Sequence, residues 1–513
     1  MREAASRAVT AVPAGADFQP LSAPSLEKAA VTMNNKQEKQ QTLWKWLSNM
    51  KLAAGLLCLL LCFTAVGCDR VYVHPFSLNA INESACEELE RLAQEGKKTF
   101  VPASIESQTT PAYEEDVKDE VRLDSPSLSV RGRQKLIYLK DFVHVLGMRF
   151  YNLQREARQG QNVLLSPTSL YGSLASFYLG ASNQTAADLQ GLLGFVPPSG
   201  DSNCTSRVDG RKLLESLRTI ESLVKTQDEE LLFSKVFCLF SAPGILLSQQ
   251  FVHNLLPSAD AFYTRAVDFT NPSEATKQIN AFVEAKSKGQ SKHLLTDLDP
   301  TTDLLVAVDV RLAANAKKAS WLKEPQEFWV DSNRAISVPM LSVTGMFKYM
   351  TDTSETFSAT EIPVGKNVLL VLLQPINGND LDKVEAKLPL QSSAWLENLS
   401  PRKIKLTLPE FRIEDSSDLQ EFLADMKLPA LLGKEADLSK ISDTHLTVGK
   451  IMNKAFFKLS SDATHQPEDA TAQEEDSVPQ EVMLNKPFLL AVFEAKSRAM
   501  LFLGRVTNPL QEV

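Results

Sequence analysis

Apolar residues recur at spacings of three and four through KLIYLKDFVHVLGMRFYNLQREARQG, residues 135–160, and the run ends at Gly160. That period predicts a long helix with a glycine stop. NVLLSPTSLYGSLASFYLGA, residues 162–181, predicts a short buried strand, a Ser-Pro break and a largely apolar helix capped by Ser166 or Thr168. Buried strands are predicted at LLFSKVFCLF (231–240), LLVAVDVRLAANA (304–316) and NVLLVLLQPI (367–376). IKLTLPEFRI (404–413) alternates like a strand through Ile404, Leu406 and Leu408. DLQEFLADMKL (418–428) is a predicted helix with Ser417 or Asp418 as its cap. PFLLAVFEAKSRAMLFLGRV (487–506) predicts two apolar strands around the turn EAKSR. Near the start, ESACEELERLAQE (83–95) fits a short amphipathic helix, and residues 97–132, rich in Ser, Pro and charge, fit a linker or an irregular surface segment. Helices alternate with many strands and no repeat is visible, so the class is α+β.

The region 50–68 bears on the compartment. Lys51 precedes an apolar run, Leu52 to Val66, and Val66 and Cys68 place modest side chains where a signal peptidase reads. The run is shorter than the roughly 20 residues that span a bilayer. Residues 50–68 are therefore expected to be a signal peptide, with a membrane anchor as the alternative. Cleavage after Cys68 leaves Asp69 as the new N-terminus. Residues 1–49 are polar and unlike a signal peptide, so Met33 or Met50 are alternative starts to Met1. Secretion also changes the cysteine arithmetic. Cys58, Cys62 and Cys68 leave, and Cys86, Cys204 and Cys238 remain. An odd count implies one bridge and one thiol, or an intermolecular link. Cys238 lies in a strand-like run and reads as a buried, inert thiol. Cys86 and Cys204, in polar sequence, are the expected pair. Sequons at Asn82, Asn183 and Asn203 fit a secreted glycoprotein. Asn398 heads a fourth with Pro401 just beyond it, and Pro272 excludes Asn271.

The chain has 513 residues, 43% of them hydrophobic, so a large core is available. Its net charge of -9 argues against a nucleic-acid partner held by phosphate neutralisation. None of the six histidines pairs at metal-ligand spacing, and HExxH, GxSxG, GxGxxG and phosphate-loop motifs are absent. No cofactor, metal or catalytic residue is expected. The chain is not expected to be an enzyme.

Several separated motifs resemble the serpin family. They are NVLLSPTSLYGSLASFYLGA, VPMLSVTGMFKY (338–349), IKLTLPEFRIEDSSDLQEFL (404–423), ISDTHLTVGKIMNKAFFKL (441–459) and FLGRVTNP (502–509). Their order covers residues 135–513. The resemblance implies a serpin fold: three β-sheets, about nine helices and an exposed reactive-centre-like loop, preceded by a flexible N-terminal tail (79–134). In inhibitory serpins the cleaved loop inserts as a central strand of the main sheet. A central strand needs its N–H groups and excludes charge. The corresponding hinge here is SDATHQPEDA (461–470), where Gln466, Pro467, Glu468 and Asp469 replace the small residues that the family uses. Pro467 removes a donor. Glu468 and Asp469 are adjacent, so one of them faces inward in either register. The resemblance with this departure implies a non-inhibitory serpin. A serine-protease inhibitor and a carrier of a small hydrophobic hormone are the alternatives.

At the expected mature N-terminus stands DRVYVHPF: Asp69, Arg70, Val71, Tyr72, Val73, His74, Pro75 and Phe76. It resembles the angiotensin octapeptide, a vasoconstrictor that regulates blood pressure and salt balance. The resemblance implies three partners. Renin, an aspartic protease, cuts between Leu78 and Asn79 and releases 69–78. Angiotensin-converting enzyme then cuts between Phe76 and Ser77. The octapeptide acts on a G-protein-coupled receptor. A protease cleft binds its substrate extended, with pockets for alternate side chains, and Pro75 biases His74 toward that conformation. Ser77 and Asn79 depart from the family's pattern, which has His and an apolar residue there; both flank or form the cut bond. No stable membrane association is implied.

Overall fold

The computed structural model describes residues 75–94, 96–107, 130–197, 204–225, 231–256, 259–316, 319–378, 380–388, 394–428, 431–461 and 478–511. The expectations for residues 1–49 and 50–68, for Asp69–His74, for Asn203 and for the hinge at Gln466–Asp469 lie outside the described residues. The chain divides into a first unit, Met1–Val73, and a second, His74–Val513, which carries the fold described below.

Two sheets dominate that unit. The first has five strands in the order β14 (Phe411–Asp418), β15 (Val448–Ser460), β6 (Leu304–Asn315), β3 (Leu231–Ser241) and β5 (Ala261–Ala266). β15 and β6 pair in parallel from Val448↔Leu304 to Ser460↔Asn315, so the seam where a loop would enter is closed by hydrogen bonds. The second, nine-stranded path runs β16 (Gln480–Met483), β13 (Ser400–Pro409), β10 (Met340–Thr351), β11 (Phe357–Val364), β12 (Val368–Pro375), β17 (Phe488–Glu494), β18 (Met500–Val506) and β2 (Val163–Leu165), with β7 (Ser320–Trp321) also on β10. β10 pairs with β13 over Met340–Tyr349 but with β11 only over Lys348–Thr351. The path therefore bends at β10 into two sheets, which with the first make three. Two ribbons complete the strands: β1 (Thr99–Phe100) on β4 (Leu247–Ser248), and β8 (Gln326–Trp329) on β9 (Ala335–Val338).

Ten α-helices lie among the described residues. They are α1 (Pro75–Asn79), α2 (Glu83–Gln94), α3 (Val130–Ala157), α4 (Pro167–Gly180), α5 (Asn183–Leu192), α6 (Gly210–Val224), α7 (Gln249–Leu255), α8 (Pro272–Lys286), α9 (Leu381–Lys387) and α10 (Leu419–Asp425). α3 starts five residues earlier than its periodicity suggests, inside the stretch read as linker. α4 is buried along its whole length except at Leu179, as an all-round apolar sequence requires. Ser166 rather than Thr168 caps it, accepting from Ser169 N, and Asp418 rather than Ser417 caps α10. On α4, the Ser169 and Ser173 hydroxyls donate to Asn453 Oδ1 at 3.1 and 2.9 Å, tying the helix to β15.

IKLTLPEFRI is two strands, not one. The chain leaves β13 at Pro409 and enters β14 at Phe411, passing from the second sheet to the first through Glu410. Proline has no N–H to give a ladder, which suits it to that exit. The EAKSR turn forms as expected. The Glu494 carboxylate closes it by accepting from the Lys496 and Ser497 amides and the Ser497 hydroxyl. In FLGRV, a Cβ on Gly504 would collide with the Val163 carbonyl oxygen, so glycine lets β2 pair against β18.

The first sheet buries charge. Asp309 on β6 is 2% exposed beside Arg311, Glu414 and Lys454. Burial pushes its carboxyl up to about 6, with the Arg311 guanidinium opposing the shift. A folded-state pKa above the unfolded value favours the folded state at low pH, and that contribution is lost as pH rises through about 6. Raising the pH from about 4 to about 7 is expected to remove about 2 kcal/mol of stability through this group. Urea melts across that range check it. Asp309→Asn should flatten the dependence, and an unchanged slope would refute the assignment to Asp309.

Candidate processing site

The segment singled out for cleavage does not hang free in the structure. Proline's fixed φ and missing N–H suit the first turn of a helix, and Pro75 opens α1. Phe76, Leu78 and Asn79 are 5, 3 and 3% exposed, whereas Ser77 faces solvent. Phe76 joins the main hydrophobic core, and α1 lies against α3. The Leu78–Asn79 bond thus sits within a helical turn between two buried side chains.

Beyond it the chain is held by backbone pairing to a distant stretch. Asp209 N donates to Asn79 O at 2.8 Å, and Ile81 N donates to Arg207 O at 2.9 Å, around an antiparallel bridge between Ala80 and Val208. Residues 206–208 are in turn fixed to the body. Tyr178 Oη donates to Val208 O at 2.7 Å and accepts from Val208 N at 3.1 Å. Gln190 Oε1 accepts from Val208 N at 2.9 Å, and Gln190 Nε2 donates to Ser206 O at 3.1 Å. Burial pushes the Tyr178 phenol well above its usual range, so it remains a donor at physiological pH. Arg207, Val208 and Gln190 lie in no motif, and Tyr178 lies in one that does not mark this contact. All four act through main-chain groups of residues 206–208, as owners or as side-chain partners, which sequence patterns do not display.

Cys86 and Cys204 form the expected disulfide, across 118 residues of sequence and with Cα atoms 5.8 Å apart. It joins α2 to the 3-10 turn Cys204–Ser206, immediately before the stretch that grips Asn79 and Ile81. The bond therefore reinforces the same latch one helix further along. Cys238 lies outside it, 1% exposed in β3.

The other sequence-derived positions scatter. Asn82 is exposed and caps α2, its Oδ1 accepting from Ala85 N at 2.8 Å. Asn183 is exposed but its Nδ2 donates to Asp437 Oδ2 at 2.6 Å. Asn398 is exposed at the end of a short 3-10 turn. Among the described residues, no group of His, Cys, Asp and Glu could hold a metal ion, and no helix is long and apolar enough to cross a membrane.

The family model described as serpin (serine protease inhibitor) matches residues 143–509. Angiotensinogen of Gorilla gorilla gorilla is 39% identical over 475 residues, covering 90% of this chain and 99% of that protein. Angiotensinogen of Homo sapiens is 38% identical over the same coverage. The plasma serine protease inhibitor of Bos taurus is 28% identical over 380 residues, 72% of this chain and 90% of that one. Among solved structures, human thyroxine-binding globulin complexed with thyroxine superposes with a TM-score of 0.61 at 22% identity, covering 73% of this chain and all of that one. Uncleaved ovalbumin gives 0.61 at 19% identity, over 72% and 100% of the two chains. At those identities the structures speak to the fold alone, while the sequence relatives speak to descent. The chain belongs to the serpin family, in the group formed by the angiotensinogens.

Proposed function

We propose that the chain is the secreted precursor of an angiotensin peptide, carried on a non-inhibitory serpin body. Renin cuts between Leu78 and Asn79 and frees Asp69–Leu78. Angiotensin-converting enzyme then removes Ser77 and Leu78, and Asp69–Phe76 acts on its G-protein-coupled receptor. The observation that carries this reading is that Pro75 and Phe76, the last two residues of DRVYVHPF, open a helix whose end is latched to the body at Asn79 and Ile81. The relatives named angiotensinogen, aligned over nine-tenths of the chain, support it.

The latch sets a condition on the chemistry. An aspartic protease binds an extended segment of several residues, so α1 must unwind and Leu78 must leave the core before the bond is cut. Burial of Phe76 and Leu78 contributes about 1.5–3 kcal/mol each, and each latch hydrogen bond about 1 kcal/mol. Releasing the five residues of α1 returns backbone entropy of about 1–2 kcal/mol per residue. The terms nearly cancel, so the closed and open arrangements lie within a few kcal/mol of each other, within reach of local fluctuation or of protease binding energy. Ser77, exposed on α1, is the part of the cut region that a protease meets first.

Digestion of the intact protein with renin, followed by mass spectrometry, is expected to yield the fragment 69–78 as the first product. Absence of that fragment, with other bonds cut instead, removes the assignment of the Leu78–Asn79 bond.

A further inference from the structure

One face of the five-stranded sheet holds a cavity of about 1680 Å³, unrelated to α1 and its latch. Strand alternation brings its floor together, because residues two apart share a face. On β6 these are Asp309, Arg311 and Ala313, and their register partners on β15 are Lys454, Phe456 and Lys458. β14 adds Ser416, Glu414 and Arg412 opposite the same three β15 residues. The turn after α8 closes one side with Lys288, Lys292 and His293. The lining holds ten lysine and arginine side chains against four carboxylates, a surplus of six positive charges in a chain whose net charge is -9. Such a concentration runs against the protein's own balance and raises the local potential for anions.

The carboxylates are already engaged. Lys454 binds Glu414 at 2.6 Å, Arg158 pairs with Asp415, and Lys225 with Asp260. Among the described residues no ion pair reaches Lys288, Lys292 or Lys458. Arg311 is 5% exposed, stacked 4.1 Å from the Phe456 ring. It stands 3.5 Å from Asp309 and 3.7 Å from Glu414, at the outer limit of a useful contact, and its Nε has no hydrogen-bond partner. A buried guanidinium N–H left unmatched is costly, and an oxyanion in the cavity supplies the acceptor that the fold does not.

We propose that this cavity binds a small polyanion carrying two or more phosphate or sulfate groups, held by Arg311, Lys454 and Lys458 on the sheet and by Lys288 and Lys292 on the rim. Arg311 lies on β6, Lys454 and Lys458 on β15, so one ligand spans the parallel seam between them. Binding thereby opposes separation of β6 from β15 and stabilises the five-stranded sheet. This is a ligand-dependent control of sheet opening, separate from release of the N-terminal peptide.

The test uses the full chain with sodium tripolyphosphate, sucrose octasulfate, and sodium chloride at matched ionic strength. Calorimetry is expected to find saturable one-to-one binding of at least one polyanion, with a higher melting temperature that chloride does not reproduce. Binding of tripolyphosphate alone points to a phosphorylated ligand and of octasulfate alone to a sulfated saccharide; either supports the site. The rim variant, Lys288→Glu and Lys292→Glu on the rim together with Lys458→Glu on β15, should lose at least about tenfold in affinity, 1.4 kcal/mol per decade. Its melting temperature without ligand should stay close to that of the parent, because among the described residues none of these three lysines makes an ion pair. Lys277→Glu, Lys323→Glu, Lys434→Glu, three exposed lysines outside the cavity, controls for the change in net charge and should bind as the parent does. No saturable heat with either polyanion, or equal loss in the rim and control variants, overturns the proposal.

Discussion

Replacing both Cys86 and Cys204 by serine is expected to lower the unfolding free energy by up to about 4–5 kcal/mol and to speed cleavage after Leu78. The first effect follows from loop closure. The bond spans 118 residues, and removing it restores that entropy to the unfolded chain. The second follows from where it sits. With the bond intact, only α1 can leave the body, because α2 stays tied to the turn that grips Asn79 and Ile81. Without it, α1 and α2 can detach together, which gives a protease a longer extended segment. If local opening becomes easier by about 1 kcal/mol, the rate rises about 5-fold. Urea melts and initial rates of peptide release measure the two effects. A free peptide spanning residues 69–82, digested in parallel, should be insensitive to reductant and so isolates the role of the body. Equal release rates from the intact and serine proteins would reduce the bond to a staple without a role in presenting the peptide.

The second large expectation concerns the loop after β15. Cutting it with a glutamate-specific protease under limiting conditions should leave the melting temperature within a few degrees of its starting value. Incubation with a panel of serine proteases should give no detergent-stable covalent complex. For insertion, β6 and β15 must part along the pairing from Val448↔Leu304 to Ser460↔Asn315, and the incoming strand must replace those hydrogen bonds on both sides. Pro467 withholds one donor, and either Glu468 or Asp469 must enter the sheet face, at several kcal/mol or with uptake of a proton. Pro467→Thr, Glu468→Ala, Asp469→Ala removes both obstacles and should raise the melting temperature after cleavage above that of the cleaved parent. For a domain of this size each kcal/mol gained is worth roughly 2 °C. A large thermal gain in the cleaved parent, or a covalent complex, would show that its loop inserts and would end the non-inhibitory assignment.

Much of the body is legible from periodicity. The amphipathic period of α3, the apolar runs of β6, β12, β17 and β18, and the Ser-Pro break before α4 each report one local requirement: which face is dry. Pairing of Cys86 with Cys204 was reachable too, because compartment and count left few options. Where local pattern spans two environments it misleads. IKLTLPEFRI alternates without interruption, yet its halves belong to different sheets, since alternation records burial of one face and not the identity of the neighbour.

The cut region marks the same divide. By itself the sequence determined the family of the body and pointed to DRVYVHPF as its peptide, because those reside in residue identity and order. Only the tertiary structure decided that Phe76, Leu78 and Asn79 are buried, that the bond proposed for cleavage lies in a helical turn, and that a surplus of cations gathers over the β6–β15 seam. Each of those depends on groups more than a hundred positions away, Arg207 and Asp209 for the latch and Lys454 for the cavity. Such contacts are made by main-chain atoms or by strand register, and neither leaves a mark on the local pattern of polar and apolar residues.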